Sequence, residues 1–140
     1  MSSLQSRTPT GLRQGASGDG DGRSRMLEIS NSMVRVYKEA FGRGPTKARA
    51  YFAGPDILVV LLADSLTVAE RNLAAMGEHE RLRQSRIFFQ HAMEEQFRAT
   101  VERVLGRRTL AFMSGIDTQR DISAEIFVLE PQVETPEAAA

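Results

Sequence analysis

Gly42-Arg43-Gly44-Pro45, then Ile57-Leu58-Val59-Val60-Leu61-Leu62-Ala63, then Leu66-Thr67-Val68-Ala69-Glu70-Arg71 stand in close succession and decide the fold. Gly42 follows an apolar helical stripe and suits a left-handed C-terminal cap, and Pro45 keeps the helix from resuming. The run from Ile57 to Ala63 has no polar position, so it reads as a central strand with both faces covered. Thr67 and Glu70 have the S/T-x-x-E spacing of a capping box, in which hydroxyl and carboxylate each satisfy a backbone N–H at a helix start.

Upstream, from Met26, the residues Ile29, Met33, Val36, Tyr37, Ala40 and Phe41 recur at helical spacing and predict an amphipathic first helix. Thr46 to Ala53 alternates, with Ala48, Ala50 and Phe52 on one side and Lys47, Arg49 and Tyr51 on the other, as in a strand with one wet face. Gly54-Pro55-Asp56 supplies the turn to the apolar strand. Downstream, a second helix is expected from Thr67 to about Gly77. A third is expected from Glu78 to Leu105, with Leu82, Phe89, Met93, Phe97, Thr100 and Val104 along its stripe, some 40 Å long at about 1.5 Å per residue. Gly106 ends it. Thr109 to Ser114 and Ile122 to Leu129 read as a second pair of strands, with Ile122, Ala124, Ile126 and Val128 sharing one face. The order α-β-β-α-α-β-β predicts a two-layer α+β fold, a four-stranded, mostly antiparallel sheet with helices on one face.

Residues 1–25 are rich in Gly, Ser, Thr, Gln, Arg and Asp, and a segment so poor in apolar side chains cannot offset its conformational entropy. The expected organisation is a disordered tail over 1–25, one domain over 26–130, and a second disordered tail over 131–140. The 140 residues carry 18 basic and 18 acidic side chains, so no global field draws the chain to nucleic acid or to an anionic membrane. Cysteine is absent, which removes disulfides, thiolate nucleophiles and thiolate metal ligands. The apolar run Ile57 to Ala63 is far short of the roughly 18 residues of a spanning helix, so no transmembrane segment is expected.

Chemistry-bearing constellations are scarce. His79 and His91 have no acidic neighbour at metal-ligand spacing, and no metal or cofactor is expected. Ser114 lies near Asp117 and Asp121 but without a G-x-S-x-G elbow or a placed histidine, so these read as strand-end and turn residues. Gly42-Arg43-Gly44-Pro45 has the glycines of a phosphate loop but closes a helix and opens a strand, the reverse of that motif, and reads as a turn with Arg43 as a surface anion contact. Arg103, Arg107 and Arg108, with Arg81, Arg83 and Arg86, are diluted by glutamates and lack interleaved aromatics, so nucleic-acid binding is not expected. No catalytic residues emerge, and the chain is read as a non-enzyme.

Two features of the third helix carry more. Arg86 falls inside the apolar stripe between Leu82 and Phe89, where it is either buried against a carboxylate, Glu70, Glu102 or Glu125, or snorkelling at the stripe's edge. Ile87 and Phe88 point away from that stripe, so the helix is apolar on more sides than one small sheet covers. A partner surface follows, with a second copy as the expected occupant and a homodimer as the expected state.

The combination of Gly42-Arg43-Gly44-Pro45, the apolar strand, Leu66-Thr67 with Glu70-Arg71, Arg86 followed by Phe89, Glu102 with Gly106, and Phe127-Val128-Leu129-Glu130 resembles the small bacterial proteins of the MpsC family over about residues 27–130. The resemblance implies an accessory component of a cation-translocating or inorganic-carbon uptake system, in the cytoplasm or peripheral to the inner face of the membrane, with a membrane transporter subunit as partner. It brings no catalytic residues. Arg43, Glu70, Arg71, Arg86 and Phe88 are the expected partner or anion contacts. A small-anion sensor using Arg43 and Arg86, acting as a soluble homodimer, is the alternative.

Overall fold

A computed structural model describes residues 2–132, with side chains from residue 20 onward. The elements are α1 (Ser2–Phe41), β1 (Lys47–Phe52), β2 (Ile57–Ala63), α2 (Val68–Ala75), α3 (His79–Ala92), α4 (Glu94–Leu105), β3 (Thr109–Asp117) and β4 (Ile122–Leu129). The strands form one antiparallel sheet in the order β1-β2-β4-β3, and the fold is α+β. Strand β2 pairs with β1 on one edge and β4 on the other and so is central, as expected.

The core lies between the sheet and the helices that cover one of its faces. Ile29, Met33 and Tyr37 of α1 and Phe97 and Val101 of α4 close over Leu58, Val60 and Leu62 of β2 and Phe127 and Leu129 of β4. Aromatic rings run through it from Tyr37 to Phe97, Phe112 and Phe127, with centroids 5.9, 5.8 and 5.3 Å apart, spacings at which tilted pairs attract.

Four expectations are corrected. The first helix has helical backbone from Ser2 rather than from Met26, and so runs through the segment 2–25 that was expected as a tail. Among the described side chains, that helix packs on the core from Met26 onward. Residues 133–140, most of the expected C-terminal tail, lie outside the described residues. The single helix expected from Glu78 to Leu105 is two, bent at Met93, whose backbone (φ −96°, ψ 9°) leaves helical values while its N–H still reaches Phe89 O at 3.1 Å. The break lets the two segments meet different partners, α3 packing on α2 and β3 and α4 on α1 and β3.

The third correction concerns the buried stripe on α3, which runs through Leu82, Arg86 and Gln90, while Phe89 stays exposed. The fourth concerns β2, expected to be covered on both sides. Leu58, Val60 and Leu62 are buried, but Ile57, Val59, Leu61 and Ala63 face the side without helices. On β4 the covered face is Ser123, Glu125, Phe127 and Leu129, and Ile122, Ala124, Ile126 and Val128 share the open one.

The Gly42-Arg43-Gly44-Pro45 turn works through both glycines. Gly42 caps α1 at φ +80°, its N–H on Lys38 O at 2.8 Å. A Cβ on Gly44 would stand 3.2 Å from Val34 O, so the backbone there presses on α1 where only glycine fits without adjustment.

Candidate functional site

The chain between β2 and α2 is the most heavily bonded segment outside the regular elements. Asp64 takes a left-handed backbone (φ 61°), and so does Asp121 (φ 55°) just before β4. The two aspartates face each other. Asp121 O accepts the Asp64 N–H at 3.0 Å, and its carboxylate accepts the N–H groups of Ser65 and Leu66 at 3.0 and 3.1 Å. Arg43 Nη1 donates to the carbonyls of Asp64 and Leu66 at 2.7 and 3.1 Å, and Arg86 Nη2 donates to Ser65 O at 2.8 Å. Every backbone polar group of Asp64, Ser65 and Leu66 is thereby satisfied without a helix or a sheet.

Glu70 joins this loop to α2 and α3. Its Oε1 accepts the Thr67 N–H at 2.9 Å while Thr67 Oγ1 accepts the Glu70 N–H at 3.2 Å, the full capping box that the spacing predicts. The same carboxylate takes two bonds from Arg86, Nε to Oε2 at 2.7 Å and Nη2 to Oε1 at 2.6 Å, in the fork geometry that suits guanidinium. Arg86 has no solvent exposure, and its guanidinium carbon lies 3.7 Å from the centre of the Phe41 ring. Of the three carboxylates open to it in the sequence, Glu70 is the partner. Burial pushes the Glu70 carboxyl up, but the Arg86 bonds and the Thr67 N–H outweigh that and hold it below the usual glutamate value.

Asp64 gathers the outer charges. It accepts Thr46 Oγ1 at 2.8 Å and Arg71 Nη2 at 2.6 Å, with Arg43 Nη2 at 3.1 Å. The Thr46 hydroxyl, then the Arg43 guanidinium, lower its carboxyl below the usual aspartate range. Arg43, Glu70, Arg71 and Arg86 therefore converge on one loop. Arg86 turns no donor toward solvent, so it offers nothing to a dissolved anion; Arg43 is committed to backbone carbonyls. Beside the loop is a shallow cleft whose rim carries Lys47, Arg71 and Arg120 with Asp64 and Asp121.

Phe88 stands apart from these ion pairs but is linked to them. It is 70% exposed, its ring packs edge-on to Phe89 at 5.7 Å, and Phe89 packs on Phe41, the ring under Arg86. An exposed aromatic is thus held by the same framework that fixes the loop.

A second polar cluster sits in the core. Tyr37 Oη donates to Glu125 Oε2, and Gln90 Nε2 donates to Tyr37 Oη at 2.7 Å and to Glu125 Oε2 at 2.9 Å. Burial raises the Glu125 carboxyl to about 7, and burial together with the adjacent carboxylate raises the Tyr37 phenol well above its usual value. Neither Tyr37, Gln90 nor Glu125 was singled out as a site by sequence, although Gln90 lies one helical turn beyond Arg86 on the same stripe. Asp64, Ser65 and Asp121 were missed likewise; aspartate's tolerance of left-handed backbone at strand ends was the available signal.

The remaining charges serve the fold. Arg107 bonds Pro55 O, Asp56 and Glu130 O, and Arg103 pairs with Glu28. His79 Nδ1 meets Thr118 Oγ1 at 2.7 Å, tying α3 to the β3–β4 turn, and His91 packs on Phe112. Among the described residues no three His, Asp or Glu side chains converge as metal ligands, and no helix is long and apolar enough to cross a membrane.

The family model described as "Na+-translocating membrane potential-generating system (MpsC)" matches residues 23–131, which include every residue of both clusters. The chain belongs to the MpsC family. No curated protein and no solved structure matches it. The family description connects the fold to sodium translocation and membrane potential, and within the MpsC domain the loop clamped by Arg43, Arg86 and Asp121 is the best-defined polar centre at the surface.

Proposed function

We propose that the protein is a non-enzymatic accessory subunit of a cation-translocating, membrane-potential-generating system, with inorganic-carbon uptake as the linked process. It acts from the cytoplasmic side and docks on a membrane subunit. The observation that carries this reading is the family match over nearly the whole described domain. The rigid loop and the aromatic ledge built on it are its docking elements: Phe88 is exposed yet backed by Phe89, Phe41 and the Arg86–Glu70 pair. An anchor held in one geometry before binding loses little entropy on docking.

The test is purification of a tagged copy from gently solubilised native cells, with identification of what accompanies it. Recovery of an antiporter-like membrane subunit from wild type but not from Phe88→Ala is the expected result. Recovery of the protein alone from both counts against the reading.

A second reading, a small-anion sensor, draws on the cleft beside the loop, where Lys47, Arg71 and Arg120 gather. A ligand that binds only the folded state raises the melting temperature. A shift with bicarbonate or phosphate that Arg120→Ala abolishes is what this reading requires, and an unchanged melting temperature eliminates it.

A further inference from the structure

The sheet face turned away from the helices is apolar across its two central strands and charged only along its edges. Strand register arranges it in rows. One row crosses the sheet as Lys47, Ala63, Ile122 and Asp117, and the next as Arg49, Leu61, Ala124 and Gly115. A third runs Tyr51, Val59, Ile126 and Met113. Ile122, Met113 and Tyr51 are 42%, 50% and 39% exposed, and no element of the described chain covers them. Isolated exposed apolar residues are ordinary, but a contiguous central patch on a sheet marks an interface.

We propose that this face is a self-association surface, on which two copies pack sheet against sheet about a two-fold axis parallel to the strands and between β2 and β4. That operation lays each β2 residue over the β4 residue of the same row in the other copy, and β1 over β3. The sizes then complement each other. Ala63 receives the partner's Ile122, and Leu61 meets the partner's Ala124. The hollow above Ala63, walled by Lys47, Arg49 and Leu61, is where that isoleucine enters.

The edges complement each other as well. Lys47 comes to the partner's Asp117, and Arg49 lies over the partner's Gly115, where no heavy atom stands within 4 Å of a Cβ position. Among the described residues, Lys47 and Arg49 have no ion pair within their own chain. Asp117 uses one carboxylate oxygen on the N–H groups of Gln119 and Arg120, which leaves the other for Lys47. The two-fold perpendicular to the strands instead stacks β4 on β4, sets Ile122 against Val128, and gives Asp117 no cation. Aligned sheets pack about 10 Å apart and rotated by about 30°; the central rows keep their pairing, and the long side chains of Lys47 and Arg49 span the offset at the edge.

Area supports the same occupant. Four strands of seven residues, at about 4.8 Å per strand and about 3.4 Å per residue, give a footprint of roughly 450 Å² per copy. Side chains standing on a pleated face expose more than that flat area, which brings the pair to the roughly 1,000 Å² that a specific interface needs. One surface serves both copies, as an isologous dimer requires. The inference rests on strand register and does not depend on the membrane reading.

Sedimentation equilibrium of the full chain tests it, with Gly115→Lys as the first variant. The added side chain has open space in the monomer but meets Arg49 of the other copy. Wild type is expected to be a dimer at tens of micromolar, Gly115→Lys to dissociate at least tenfold more readily, and Gly115→Lys with Arg49→Glu to recover. Ile126→Lys, on the same face, is expected to be monomeric, and unchanged circular dichroism and melting separate lost association from lost folding. A monomeric wild type overturns the proposal. So does a dimer indifferent to Gly115→Lys and Ile126→Lys but dissociated by Phe88→Ala, which would place the contact on α3.

Discussion

Arg86 and Glu70 share two hydrogen bonds of 2.6 and 2.7 Å, yet their exposures differ: the arginine side chain is fully buried and the glutamate keeps 19% of its surface. The asymmetry makes the two truncations unequal. Glu70→Ala strands a buried cation and also opens the α2 cap, so it is expected to cost about 3–5 kcal/mol. Arg86→Met leaves a carboxylate that can turn to water and keeps an apolar group on Phe41, so it costs less. Urea unfolding of the two variants and their double mutant checks this. The double mutant should lose clearly less than the sum, and additive losses would mean that the pair is not coupled.

Asp121 performs a backbone's work with a side chain, accepting two N–H groups from a left-handed conformation. Asp121→Ala loses both charge-assisted bonds and strains the backbone, for an expected loss of about 2–4 kcal/mol. Asp121→Gly relieves only the strain, and Asp121→Asn keeps one acceptor and tolerates the conformation. The expected order of melting temperatures is Asp, Asn, Gly, Ala. Gly falling at or below Ala would mean that backbone strain plays no part.

These pairs show which parts of the structure were legible from local pattern. The capping box, the turn at Gly42, the central position of β2 and the four-stranded antiparallel sheet each follow from a short pattern and are present as read. The break at Met93 was not legible, because the apolar spacing on both sides fits one continuous helix and the separate packing partners of α3 and α4 arise only in the folded chain. The open face of β2 was hidden for a related reason. Ile57, Val59 and Leu61 have the composition of buried residues, and the sequence of one strand does not say which of its faces the helices cover. Arg86 was visible because a charge interrupted an apolar stripe, whereas Glu125 entered the sequence reading only as one of three carboxylates open to Arg86, and its pairing with Tyr37 and Gln90 arises from packing between distant elements.

Phe88 is the position at which the proposed docking is separable from stability. With 70% of its surface exposed, it contributes little to folding, and Phe88→Ala is expected to change unfolding free energy by no more than about 0.5 kcal/mol. Co-purification of a membrane subunit should fall at the same time. Lost stability without lost capture would reassign Phe88 to packing on Phe89.

Glu125 gives the protein a pH dependence of defined sign. Its carboxyl rises from an ordinary 4.5 to about 7, because burial among Tyr37, Gln90 and Ser114 penalises the charged form. The folded state therefore favours the protonated acid, a contribution fully present below pH 4.5 and lost as pH rises through about 7. That shift corresponds to about 3 kcal/mol at most. Glu70 acts in the opposite direction: its carboxyl is lowered, so its contribution is present above the ordinary value of 4.5 and is lost as pH falls. Stability should thus peak between the two and decline toward neutrality. Glu125→Gln retains an amide that can bond Tyr37 and has no charge to bury, so its unfolding free energy should stay flat from pH 5 to pH 8 and exceed wild type at the upper end. Urea titrations of both proteins across that range check the sign: parallel curves would mean that Glu125 is as fully ionised in the fold as in the unfolded chain from pH 5 to pH 8, with its charge met by Tyr37 and Gln90.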